Sequence, residues 1–149
     1  MPQPFADSAA ILPAPAAARG SRTEISPAVP TILVVDDERE VVTALESALR
    51  VQGYRVATAC NGSDAIDKAI KLRPEIVITD LLMPVVDGIA LAKALRLNPV
   101  TAAIRIVLSS GVAEGSVRAM FNGYDAFLQK PYEMEDLQQT VAGLLAPAQ

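Results

Sequence analysis

The stretch ILVVDDERE, residues 32–40, decides the fold. Four apolar residues, three of them β-branched, read as a strand and run directly into Asp36, Asp37 and Glu38. An apolar run without alternation fits a strand covered by helices on both faces, as in a parallel sheet. The adjacent carboxylates then stand at the edge of the core, where like charges repel and desolvation costs most. Either Asp37 caps the next helix, with Glu40 completing a capping box, or a positive group sits between the acids.

Outward from this stretch the same alternation repeats. Short β-branched runs (TILVV, YRVATA, EIVIT, IRIVLS, AFL) alternate with EREVVTALESALRVQG, SDAIDKAIKL, GIALAKALRL, AEGSVRAMFNG and MEDLQQTVAGLL, which carry helical periodicity. Val41, Val42, Leu45, Ala48 and Leu49 share one stripe of the first helix, and Gly53 stops it. Met134, Leu137, Val141, Leu144 and Leu145 do the same in the last. Five strands alternating with five helices predict a doubly wound α/β domain over residues 31–146. Residues 1–30, dominated by Ala, Pro and Ser, predict a disordered tail. The chain stops soon after the fifth helix, so the expectation is that no effector domain follows.

Composition narrows the function. Of 149 residues, 51% are apolar, enough for one sizeable core. A net charge of −4 weighs against binding nucleic acid or an anionic membrane. No apolar run approaches the ~18 residues of a membrane span, so no membrane insertion is expected. The single cysteine, Cys60, allows no internal disulfide; a cytoplasmic protein with Cys60 as a small apolar filler is the expectation. With no histidine in the chain, histidine catalysis and the commonest metal ligand are both excluded.

In open α/β sheets, ligands bind beyond the carboxyl ends of the strands. Those ends carry Asp36 and Asp37 on the first strand and Asp80 on the third. The fourth ends in Ser109 and Ser110, the fifth in Lys130 before Pro131. Oxygen ligands without histidine suit Mg²⁺, which takes one or two carboxylates and leaves room for a phosphate oxygen. A carboxylate against such an ion can attack phosphorus and become an aspartyl phosphate. A lysine and a hydroxyl opposite it would hold the remaining phosphoryl oxygens.

VVDDE, TDLLMPVVDG, LSSG and LQKP, in this order on this strand pattern, resemble the receiver domain of two-component response regulators. The resemblance covers about Thr31 to Leu145, and its most specific string is D-x-x-M-P-x-x-D-G from Asp80 to Gly88. It implies a flavodoxin-like sheet of order 2-1-3-4-5. It also implies that Asp80 is the phosphoacceptor, with Asp36, Asp37, Asp80 and the backbone carbonyl of Leu82 holding Mg²⁺. Lys130 would pair with Asp80 and then with the phosphoryl group, across a Lys130–Pro131 bond that is commonly cis in the family. Ser110 matches the switch hydroxyl and Phe127 the aromatic switch position. Leu82 and Val112, both apolar, stand where the family controls access of the hydrolytic water, which implies slow loss of phosphate.

The implied function is a stand-alone receiver, phosphorylated by a histidine kinase or a histidine phosphotransfer protein. It would signal to a partner protein through the fourth helix, fifth strand and fifth helix, and catalyse only its own phosphorylation and dephosphorylation. Two other classes stay open: a pseudo-receiver that binds partners without phosphorylation, and a Mg²⁺-dependent phosphohydrolase. Asp87 before Gly88 reads as a cap, Pro84 as a turn residue and Phe127 as a half-buried strand aromatic.

Overall fold

The computed structural model describes residues 29–82 and 87–146. Five parallel strands form one sheet: β1 (Thr31–Val35), β2 (Arg55–Ala59), β3 (Ile76–Asp80), β4 (Arg105–Ser110) and β5 (Ala126–Gln129). Helices α1 (Arg39–Val51), α2 (Gly62–Leu72), α3 (Gly88–Leu97) and α4 (Glu114–Met120) connect them, and α5 (Met134–Leu145) follows. The strand order is β2-β1-β3-β4-β5, as the resemblance implies. Parallel pairing puts every strand's carboxyl end on one side, and the order reverses between β1 and β3, where a crevice opens.

Alternate residues of each strand enter different cores. Leu33, Val35, Val77, Ile106 and Leu108 pack with Ala65 and Ala69 of α2, Leu91 and Leu95 of α3, and Val117 of α4. Ile32, Val34, Ile78, Val107 and Leu128 pack with Leu45 and Leu49 of α1 and with Leu137 and Val141 of α5. Both faces are therefore buried, which is why the strands are apolar throughout. Each fully buried Leu or Ile contributes roughly 1.5–3 kcal/mol, so this packing outweighs the intrinsic propensity of helices this short.

The ends of the elements are set by particular residues. Gly53 takes φ 96°, open to glycine, and its N–H donates to the Arg50 carbonyl at 2.9 Å, ending α1 as expected. Asp87 caps α3, accepting the Ala90 N–H at 2.8 Å. Pro84 and the tail, apart from Val29 and Pro30, lie outside the described residues.

Four expectations need correction. The Asp37–Glu40 capping box does not form: α1 starts at Arg39 after Glu38, which makes no side-chain cap. Asp36 makes that turn instead, its Oδ1 accepting the Glu38 N–H at 2.9 Å. Helix α4 ends at Met120, short of Gly123, because Phe121 is already extended (φ −162°, ψ 127°) and its ring folds back onto Gly123. Cys60 is exposed beyond the end of β2 and fills neither core. Met134, at the first turn of α5, is also exposed rather than part of the buried stripe.

Candidate functional site

Three strand ends meet at the crevice. Asp36 directly follows β1, and its N–H bonds to the Ala59 carbonyl at 3.2 Å, which keeps the backbone in the sheet and its side chain buried. Asp37, one residue on, is exposed. Asp80 is the last residue of β3, half-buried and in register with Ser109. Carboxylate oxygens of Asp36, Asp37 and Asp80 all lie within 4.8 Å of one another. Lys130, just past β5, places its Nζ 3.3 Å from Asp80 Oδ1. Its backbone is fixed by the N–H bond to the Ser110 carbonyl at 2.8 Å, and the Lys130–Pro131 bond is cis.

The charges do not balance: three carboxylates face one ammonium. Burial, the largest influence, pushes the Asp36 carboxyl up to about 6. The Glu38 N–H opposes this and the negative charge of Asp80 adds to it. Burial alone would lower the Lys130 ammonium, but the charge and hydrogen bond of Asp80 carry it above its ordinary value. An oxygen-only donor set with an uncompensated buried carboxylate fits a small hard dication such as Mg²⁺.

Gly88 has a role beyond its turn. A Cβ there would collide with the Asp80 carbonyl oxygen and stand 2.9 Å from Leu81 Cα. The N-terminus of α3 thus rests directly on the backbone that carries Asp80, and the Gly88 N–H bonds to the Leu81 carbonyl at 2.8 Å. The D-G pair in the sequence signalled a cap and a turn, but nothing local told which backbone approaches it.

Ser110 and Phe127 lie on β4 and β5. Ser110 is buried, and its Oγ accepts the Val112 N–H at 2.9 Å, on the side of the β4–α4 loop. Phe127 is half-buried on β5, in register with Leu108. Leu82, two residues beyond Asp80, is 68% exposed. The sequence reading passed over Tyr132, whose phenol is raised chiefly by burial and which also feels Ser109, Lys130, Asp36 and Asp80. It passed over Tyr124 as well, whose ring centroid lies 5.9 Å from that of Phe127.

A 2-1-3-4-5 parallel sheet with an acidic trio and a lysine at its switch point defines a receiver of the CheY-like, flavodoxin-like class. The family model for the response regulator receiver domain matches residues 32–142, and the chain belongs to that family. Phosphorelay signalling, an aspartyl phosphate and Mg²⁺ binding are typical of it.

Among solved structures, the chemotaxis protein CheY4 of Vibrio cholerae is similar at 30% identity and a TM-score of 0.73, covering 79% of this chain and 100% of that one. The response regulator TrrA of Thermotoga maritima, solved with Mg²⁺ and BeF, is similar at 28% identity and a TM-score of 0.72, covering 78% of this chain and 100% of that one. The transcriptional regulatory protein PrrA of Mycobacterium tuberculosis is 34% identical over 116 residues, 78% of this chain and 50% of PrrA. PhoP of Bacillus subtilis, an alkaline phosphatase synthesis regulator, is 32% identical over 76% of this chain and 48% of its own. The chain thus spans about half the length of these curated relatives.

Proposed function

We propose that Asp80 accepts a phosphoryl group from a phosphohistidine of a histidine kinase or histidine phosphotransfer protein. The reading is carried by one observation: Asp80 sits 3.3 Å from Lys130 while its oxygens stand within 4.8 Å of two further carboxylates. An Asp80 carboxylate oxygen attacks phosphorus, the P–N bond breaks, and the imidazole nitrogen leaves with its electron pair. Lys130 releases part of its hold on Asp80 and follows the negative charge onto a phosphoryl oxygen. Asp36, Asp37, Asp80 and the carbonyl of Leu82 would hold Mg²⁺, which when bound offsets the charge on the phosphoryl oxygens. Hydrolysis of the acyl phosphate later returns Asp80 to its starting state, and no other substrate is turned over.

The donor has an approach. A groove with an apolar floor of Val41, Ala44, Leu45, Pro131 and Met134, also lined by Glu38, Glu40 and Tyr132, opens beside Lys130. The output follows from Ser110: turning its hydroxyl from Val112 toward the phosphoryl group vacates space for Phe127 and shifts the surface of α4, β5 and α5. That surface acts on a partner protein, with the net charge of −4 disfavouring contact of the receiver itself with nucleic acid. An exposed free thiol at Cys60 suits a reducing cytoplasm.

Incubation with a phosphorylated histidine kinase tests the transfer. A hydroxylamine-labile phosphate should appear on the wild type and be absent from Asp80→Asn; label persisting on Asp80→Asn would overturn the assignment.

A further inference from the structure

Three of the chain's six aromatic residues (three Phe and three Tyr) fall within seven positions, at Phe121, Tyr124 and Phe127. They form a ladder: Phe121 to Tyr124 is 6.5 Å between ring centroids, and Tyr124 to Phe127 is 5.9 Å. The loop that carries Tyr124 is anchored to α3. Arg96 Nε donates to the Gly123 carbonyl at 2.9 Å and Nη2 to Asp125 Oδ2 at 2.8 Å, while Asp125 also accepts the Ile106 N–H at 2.7 Å. A Cβ at Gly123 would stand 2.6 Å from Phe121 Cζ, so a larger residue there would displace the Phe121 ring.

Tyr124 is the link from this fixed loop to α4. Its hydroxyl donates to Glu114 Oε2 at 2.9 Å and accepts from Arg118 Nε at 3.3 Å. Glu114 and Arg118 also pair with each other at 2.6 Å, but an exposed i,i+4 ion pair contributes little alone and does not reach another element. The phenol makes the cluster directional, tying α4 to the flank of β5. The Glu114 carboxyl lies below its ordinary range, with the Tyr124 hydroxyl as the first cause.

We infer that Tyr124 is a positioning residue for the switch: its ring holds Phe127 and its hydroxyl holds α4 in the arrangement where Ser110 is bonded to Val112. This rests on the phosphoryl-accepting reading above. Phe127 cannot move toward Ser110 without leaving the Tyr124 ring, and α4 cannot shift against β5 without breaking the Tyr124–Glu114 bond. Both contacts belong to the arrangement that precedes phosphorylation. They lower the fraction of molecules ready for a phosphoryl group, and apparent affinity falls by that fraction.

Beryllofluoride with Mg²⁺ is the probe, titrated into the full chain and into Tyr124→Phe and Glu114→Ala. Losing this hydrogen bond should tighten apparent beryllofluoride binding about fivefold in each variant, with little further gain in the double variant. A merely structural role would lower the melting temperature and leave affinity unchanged. Wild-type binding with unchanged or weaker binding in the folded variants would overturn this inference alone. A wild type that binds no beryllofluoride would overturn the phosphoryl-accepting reading, and this inference with it.

Discussion

The carboxyl-end crevice and the α4–β5 flank lie side by side yet treat polar groups in opposite ways. In the crevice, Asp36, Asp37 and Asp80 share one ammonium, and Asp36 is held up to about 6. On the flank, Tyr124, Glu114 and Arg118 satisfy one another, and Arg96, Asp125 and the Ile106 N–H do the same. Electrostatic conflict is thus concentrated where a dication and a phosphoryl group can relieve it. The satisfied flank gives the switch a defined resting place, since fully paired polar networks favour discrete arrangements over gradual ones. On the proposals made above, the first region would take up the phosphoryl group and the second would set the threshold of the response.

Removing the one ammonium should break the crevice most. Lys130→Ala is expected to slow phosphoryl transfer to Asp80 by about 100-fold or more, the scale of losing one preorganised charge-stabilising donor. Initial rates with a saturating phosphodonor measure it, and a rate close to wild type would remove Lys130 from the chemistry. Gly88→Ala comes next, because its Cβ would displace the Asp80 backbone from α3. A cost of about 1–3 kcal/mol in denaturant stability, with weakened Mg²⁺ binding, is expected from such overpacking. Unchanged stability would mean that the contact yields without effect.

Asp36 tests whether the conflict is real. Its folded value of about 6 exceeds the ordinary value of 3.8, so the folded state keeps a proton that the unfolded chain releases. Stability therefore falls as pH rises through that window, and the whole penalty applies above it. In Mg²⁺-free buffer, Asp36→Asn should be more stable than wild type by roughly 1–2 kcal/mol at about pH 7.5, a discounted figure because the crevice opens to solvent. At about pH 3.5, below both values, the difference should vanish. Paired chemical denaturation curves decide it, and an equal difference at both pH values would show that charge is not the cause.

Much of the crevice was legible in the sequence because each strand declares its own carboxyl end. Asp36, Asp37, Asp80 and Lys130 could be placed together from topology alone, and the structure brings them together. What a strand end does not declare is which of two adjacent acids turns inward. Asp37 with Glu40 had the spacing of a capping box, yet Asp36 makes the turn and Asp37 is left for solvent or metal. The flank was less legible. The helical pattern of AEGSVRAMFNG continues past Met120, but Phe121 leaves the helix to pack its ring on Gly123. That contact and the reach of Tyr124 to Glu114 are tertiary, and local periodicity carries no trace of them.

The smallest effect is expected at the border between the two regions. Leu82 and Val112 present apolar, exposed side chains on loops that follow β3 and β4. Neither offers a hydrogen bond to a water in line with the Asp80–phosphorus bond, so release of phosphate should be slow. Leu82→Asn introduces a donor and an acceptor there without touching the core, since the side chain is 68% exposed. One water-orienting hydrogen bond of about 1 kcal/mol corresponds to roughly fivefold faster release. Timing phosphate loss from the two labelled proteins measures it. An unchanged rate would mean that Leu82 does not gate the water, and would transfer control of the lifetime to the Ser110–Phe127 side.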